Sequence, residues 1–159
     1  MQLEDGRKLR MRRAQWRDFD AVAALVAECA AGELPPDRHT KRRFRRIVHD
    51  LGNDLYLAFA EQALVGLVHI VYVRELVAPR RAELAALLLA PALRCPEGYR
   101  LLVQFACMRA RKRDCGVIIA RLRTVPAELD AVLAGVGFES QGAWVALRLE
   151  PDRRFGQEV

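Results

Sequence analysis

After a run of aliphatic residues the chain reads Pro91-Ala-Leu-Arg94-Cys95-Pro96-Glu97-Gly98-Tyr99-Arg100-Leu-Leu102 and then continues with helix-like spacing. A strand that turns into a helix through an Arg- and Gly-containing loop can hold a phosphate, because backbone N–H groups and the positive end of the helix dipole face the anion. Arg94 and Arg100 would add positive charge. Other residues of the same loop oppose that chemistry. Pro96 has no N–H to give, Glu97 brings negative charge, and Tyr99 brings bulk. Gly98 permits close backbone approach, at one position. Cys95 would act as a nucleophile only with a His or a helix N-terminus to lower its pKa, and only the helix start is near it in sequence.

The surrounding elements follow from hydrophobic period. Lys8–Arg13 alternates apolar and charged residues, as a half-buried strand does. Phe19, Val22, Leu25, Val26 and Cys29 share one helical face, with Asp18 as the expected N-cap. Gly32 and Pro35-Pro36 end that helix, and a second runs from about Arg38 to Leu51, stopped by Gly52-Asn53. Leu55–Glu61 and Leu64–Val73 read as strands of an antiparallel hairpin. Ala82–Ala90 has helical propensity, but its length, its flanking prolines and its place in the order favour a strand. Tyr99–Arg113 reads as an amphipathic helix, Val117–Leu122 as a buried strand, Pro126–Leu133 as a helix, and Ala143–Leu149 as a closing strand. Trp16 and Trp144 are expected to pack. Such an order is mixed α/β in one domain.

With 159 residues, 52% apolar and 29% charged, the chain has globular composition and enough length to bury a core. No apolar run is long enough to span a bilayer, and Met1–Gly6 lacks the basic and apolar regions of a signal peptide. The expected location is the cytoplasm. Cys29, Cys95, Cys107 and Cys115 form no C-x-x-C pair and have no His at zinc-ligand spacing, so no metal is expected. The net charge of +6 concentrates in Lys41–Arg46 and Arg109–Arg113. A basic balance suits acidic partners, nucleic acid included. The simpler reading is a solvated helix face for the first cluster and a dipole-matched helix end for the second.

In this order and spacing the residues resemble the GNAT superfamily of acyl-CoA-dependent N-acyltransferases, over about residues 8–150. Leu9-Arg-Met-Arg-Arg-Ala-Gln-Trp-Arg-Asp18 is similar to the family's first strand and the Asp that starts its first helix. Ala58-Phe-Ala-Glu-Gln-Ala-Leu-Val-Gly66 is similar to its second and third strands and their tight turn. Ala82-Glu-Leu through Ala90-Pro-Ala-Leu-Arg94 has its spacing from fourth strand to loop Arg, and Leu133-Ala-Gly-Val-Gly-Phe138 resembles its late Gly-Phe. The resemblance implies one domain over residues 1–159, with a central, mostly antiparallel, twisted sheet flanked by helices.

It also implies acetyl-CoA as co-substrate. Strand-end N–H groups near Leu88, Leu89 and Ala90 would hold the pantetheine and thioester oxygen. The family's Arg/Gln-x-x-Gly-x-Gly/Ala loop would be Arg94 to Tyr99, with Cys95 where a further Gly is common. Glu97 and Tyr99 then fall on Gly positions and Gly98 between them, a degenerate motif. Arg100 is added from its charge and position. Glu83 matches a family general base by spacing, or is a strand-end carboxylate paired with Arg80 or Arg81. Tyr72 and His69, on opposite-facing positions of the third strand, are the alternatives. Leu133 stands where many members carry a Tyr acid. The activity implied is transfer of an acyl group, acetyl foremost, to a small-molecule or protein amine, possible dimerisation being through the closing strands. The alternative is an inactive binding or regulatory module that has lost CoA. A third reading, nucleic acid at residues 41–46, predicts steep salt dependence.

Overall fold

The computed structural model describes residues 8–123 and 125–139. In chain order they form β1 (Leu9–Arg13), α1 (Phe19–Glu28), α2 (Arg38–His49), β2 (Asn53–Ala60), β3 (Ala63–Val73), β4 (Arg81–Leu89), α3 (Pro96–Lys112), β5 (Val117–Ala120) and α4 (Ala127–Val136). The sheet order is β1-β2-β3-β4-β5, antiparallel throughout except for the parallel β4–β5 pair. This is the mixed α/β, mostly antiparallel architecture expected. The expected closing strand, Ala143–Leu149, and Trp144 lie outside the described residues.

Period-2 alternation makes two cores from one sheet. Leu55, Leu57 and Leu67 face α1 and α2, where they pack with Phe19, Val22, Leu25, Phe44 and Val48. Ala58, Val68, Ile70, Ala82 and Leu84 face the other way, against Tyr99, Leu102, Val103 and Ala106 of α3 and Leu129, Val132 and Leu133 of α4. The Ala- and Leu-rich β4 is a strand despite its helical propensity, because partners on both sides satisfy its backbone and both of its faces are covered. The β2–β3 hairpin closes Ala60 on Ala63 through two residues, Glu61 taking a φ of 55°.

Local chemistry departs from the sequence expectations at four places. Asp18 does not cap α1 with its side chain. Its carboxylate takes both Arg12 guanidinium nitrogens at 2.7 Å and the Gln15 N–H at 2.7 Å, closing a single turn over Trp16–Asp18. Trp16 on that turn is 63% exposed rather than packed. The second helix ends at His49, where Asp50 turns extended, and it is capped by Asp37, which accepts the Thr40 N–H at 2.8 Å. The segment after α3 keeps only Val117–Ala120 in the sheet and is half-exposed rather than buried, because the chain leaves the sheet once Arg121 N has bonded Leu84 O.

Candidate functional site

The β3–β4 ladder slips once. His69 pairs with Ala86 and Ile70 with Leu84, so Ala85 has no partner on β3. Such a bulge breaks the ladder locally and re-aims the strand. On its other side β4 pairs with β5 only from Arg81 to Leu84. Among the described residues no strand accompanies the second half of β4 there. The bulge and this slot occur at the same point of β4.

A pocket of about 250 Å³ lies at that point, on the α1/α2 face. Its floor is Leu55, Leu67 and Ala85 to Leu88, and Val22, Val26, Phe44 and Ile47 form the walls. Thr40, Arg43, His69 and Arg123 supply its polar groups. His69 is the titratable base among them. Its Nε2 lies 2.8 Å from Asn53 Oδ1, and Asn53 Nδ2 donates to Asp50 Oδ2 at 2.7 Å. The Asp50 carboxylate therefore fixes which way the Asn53 amide points. That orientation makes His69 Nε2 the N–H donor and leaves Nδ1 with the lone pair. Burial lowers the imidazole pKa and keeps the ring neutral. Sequence reasoning named His69 but missed Asn53 and Asp50. No motif marks them, and only the β2–β3 register brings Asn53 to the ring.

Glu83 and Tyr72 are not brought together. Glu83 shares a pair with Val71 and binds Arg81 Nε at 3.2 Å, with Arg121 Nη1 at 3.6 Å. The carboxylate is thus engaged by Arg81, as one sequence reading had it; Arg80 instead donates to Arg113 O. Glu83 is not among the residues lining the pocket. Tyr72 points to the opposite face, where its hydroxyl donates to Asp54 at 2.8 Å. Burial, reinforced by that hydrogen bond, raises its pKa far above the ordinary 10.0 and holds the proton on the phenol. In this arrangement Tyr72 keeps its proton and stays bound to Asp54.

No family model matches the sequence, and no curated protein matches it significantly. Solved structures do match. The chain is similar to the transcriptional regulator from Bacillus halodurans C-125, with a TM-score of 0.73 at 22% identity over 89% of this chain and 100% of that one. It is similar to the ribosomal-protein-alanine N-acetyltransferase from Brucella melitensis biovar Abortus 2308, with a TM-score of 0.70 at 15% identity over 89% and 100%. It is also similar to an aminoglycoside N-acetyltransferase in complex with CoA, with a TM-score of 0.72 at 15% identity over 94% and 99%. This is the GNAT fold.

In this fold the loop after β4 engages several of its polar groups within the chain. Arg94 spends Nε on Leu89 O at 3.2 Å and Nη2 on Cys29 O at 3.1 Å, tying the end of α1 to the end of β4. Cys95 is the N-cap of α3, its Sγ accepting the Gly98 N–H at 3.4 Å, while Tyr99 N donates to Cys95 O at 3.2 Å. Pro96 stands at the first helical position, where a missing N–H costs least. A Cβ on Gly98 would lie 2.7 Å from Leu89 Cδ2 and 2.9 Å from Leu93 O, so this glycine serves helix-to-strand packing. Tyr99 is buried in the α3 core, where burial raises its pKa. Glu97 is half-buried in the first turn and Arg100 is exposed.

The strand-end backbone groups are engaged in the same way. Ala90 N, expected to face a ligand, donates to Val65 O at 2.8 Å. Leu89 O accepts from Arg94 and from Cys29 Sγ, whereas Leu88 lines the pocket. Leu133, expected where a Tyr acid would stand, is buried in the α4 core. Among the described residues no cluster of His, Cys, Asp or Glu could hold a metal, and no helix is long and apolar enough to cross a membrane.

Proposed function

We propose that this protein is an N-acyltransferase that carries an acyl group, acetyl foremost, from a CoA thioester to an amine. The observation that carries the reading is the neutral, tautomer-fixed His69 in a pocket at the bulge of β4, beside the slot between β4 and β5. A pantetheine arm is an extended chain with amide groups, and it suits a strand edge that has lost its partner. His69 Nδ1 would take a proton from the attacking ammonium. The amine nitrogen would then form its C–N bond as the C–S bond breaks, and CoA would leave as thiolate, which takes up the second amine proton to become the thiol. Leu55, Leu67, Val26 and Ile47 keep water from the reacting groups. Glu83 is a secondary candidate for the base, through release from Arg81. The acceptor is taken to be a small-molecule or protein amine, in a cytoplasmic enzyme that needs no metal.

The nucleotide end of CoA has a poorer fit. Pro96 removes one amide and Cys95 occupies the Gly98 N–H. Arg94 and Arg100 are the cations that would compensate, Arg94 by giving up a carbonyl. This local capping favours a second reading, a GNAT-fold binding module without CoA. Calorimetric titration with acetyl-CoA separates the two. Micromolar binding that weakens on Arg94→Ala, with acetyl transfer that falls on His69→Gln, supports the enzyme. No heat at millimolar acetyl-CoA removes it and leaves the module.

A further inference from the structure

On the far side of α2 from the pocket, a groove of about 480 Å³ runs between α2 and the turn Trp16–Asp18. Trp16, Arg17, Arg38, Lys41, Arg42 and Arg45 line it over Phe19, and Asp20 is the acid on the lining. Trp16 stands 63% exposed within this cationic ring.

The charges of α2 work against the helix. Arg38, Lys41, Arg42, Arg43, Arg45 and Arg46 occur within twelve residues that contain no Asp or Glu. Several pairs, such as Arg38/Arg42, Lys41/Arg45 and Arg42/Arg46, are like charges one turn apart, which destabilises a helix. Arg38 also sits at the positive end of the helix dipole. Among the described residues none of the six forms a salt bridge with an acid. The contrast with α3 is internal to the molecule, because Arg109 and Arg113 there are both spent on buried Asp54. Packing needs Phe44 and Val48 of α2, and of its cations Lys41 lies over a core ring, Phe19, at 5.5 Å.

We propose that this groove binds a single-stranded nucleic acid, with a base stacked on Trp16 and consecutive phosphates along the outward cations of α2. Stacking on an exposed aromatic beside a positively charged track is how single strands are held without sequence preference. A duplex offers the same charge but hides its base faces. The proposal is independent of acyl transfer, since α2 separates the groove from the pocket at His69.

The test is fluorescence anisotropy with short labelled oligothymidylate, oligouridylate and a duplex of equal length, in rising potassium chloride. The variants are Trp16→Leu and Arg42→Glu/Arg45→Glu, each checked for an unchanged melting curve. The expected result is single-strand binding whose log–log salt slope becomes shallower by roughly 0.7 for each phosphate contact removed in the double variant. Trp16→Leu is expected to weaken single strands roughly five- to one-hundred-fold with the slope unchanged. Comparison of the two single strands tells whether RNA or DNA is preferred. Absence of binding at low salt overturns the proposal. So does a duplex bound as tightly as the single strands, or a Trp16→Leu protein that binds them like the parent, since either would mean that the groove reads charge alone.

Discussion

Tyr72 donates its hydroxyl hydrogen to Asp54 at 2.8 Å, and the carboxylate that receives it has no exposure to solvent. Arg109 adds two donors to the same oxygen, at 3.0 and 2.7 Å, and Arg113 reaches the other at 3.1 Å. The network joins β2, β3 and the end of α3, on the face of the sheet opposite His69. Burial by itself would raise the Asp54 pKa, but the hydrogen bonds from Arg109 and Tyr72 and the two positive charges outweigh it and lower the value. Asp54→Ala should cost about 3 kcal/mol, because it leaves two half-buried guanidinium groups without their anion. Tyr72→Phe should cost about 1 kcal/mol. Because the folded pKa is depressed, the unfolded chain binds the extra proton. The stabilisation is therefore present above the ordinary 3.8 and is lost as pH falls through the lowered folded value. Urea titrations across acid pH should show that loss in the parent and a flatter dependence in Asp54→Ala.

His69 gives a kinetic prediction. Its pKa is lowered by burial, so kcat/KM should rise with pH through a value below 6.5 and be level above it. An acceptor amine of high pKa stays an ammonium through this range and keeps its own titration out of the profile. His69→Gln should abolish that limb, and Asn53→Asp should move it to higher pH by placing a negative charge on Nε2–H. An acid limb that survives in His69→Gln would assign the base elsewhere.

Gly98→Ala tests the packing of the loop. Alanine is the better helix former by about 1 kcal/mol, yet its Cβ would lie 2.9 Å from the Leu93 carbonyl, which is backbone and cannot rotate away. Overpacking should win, with a net loss of about 1–2 kcal/mol in chemical denaturation. A more stable variant would mean that the loop relaxes at little cost.

Cys95→Ser should stabilise. The thiol is a weak acceptor for the Gly98 N–H at 3.4 Å, while serine is among the preferred N-caps. A gain of about 0.5–1 kcal/mol is expected, read as a higher melting temperature. Cys95→Ala should lose a similar amount. Equal stability of the serine and alanine variants would show that the cap contributes nothing.

Much of the architecture was legible in the chain itself. The alternation of Leu55, Leu57 and Leu67, the two-residue hairpin turn and the prolines around β4 specify strands and their pairing, since a one-residue slip would turn every apolar side chain to the wrong face. The oddities of the Arg94–Tyr99 loop were also visible, because proline and side-chain bulk act locally. His69 could be named as an alternative base from its strand position. Its tautomer could not, because Asn53, sixteen residues away, reaches the ring only through the β2–β3 pairing, and Asp50 acts through Asn53.

What the sequence determined by itself was therefore the order of elements, which faces are apolar, and that Pro96 has no N–H to offer. The tertiary structure decided what each polar residue is for. It sent Tyr72 to Asp54, tied Arg94 to two carbonyls, and spent Arg109 and Arg113 on a buried acid. It left the cations of α2 facing a groove beside Trp16. The physical reason is range: propensity, capping and hydrophobic period act within a turn or a strand, whereas the partner of a charge or a ring nitrogen is set by where distant segments meet.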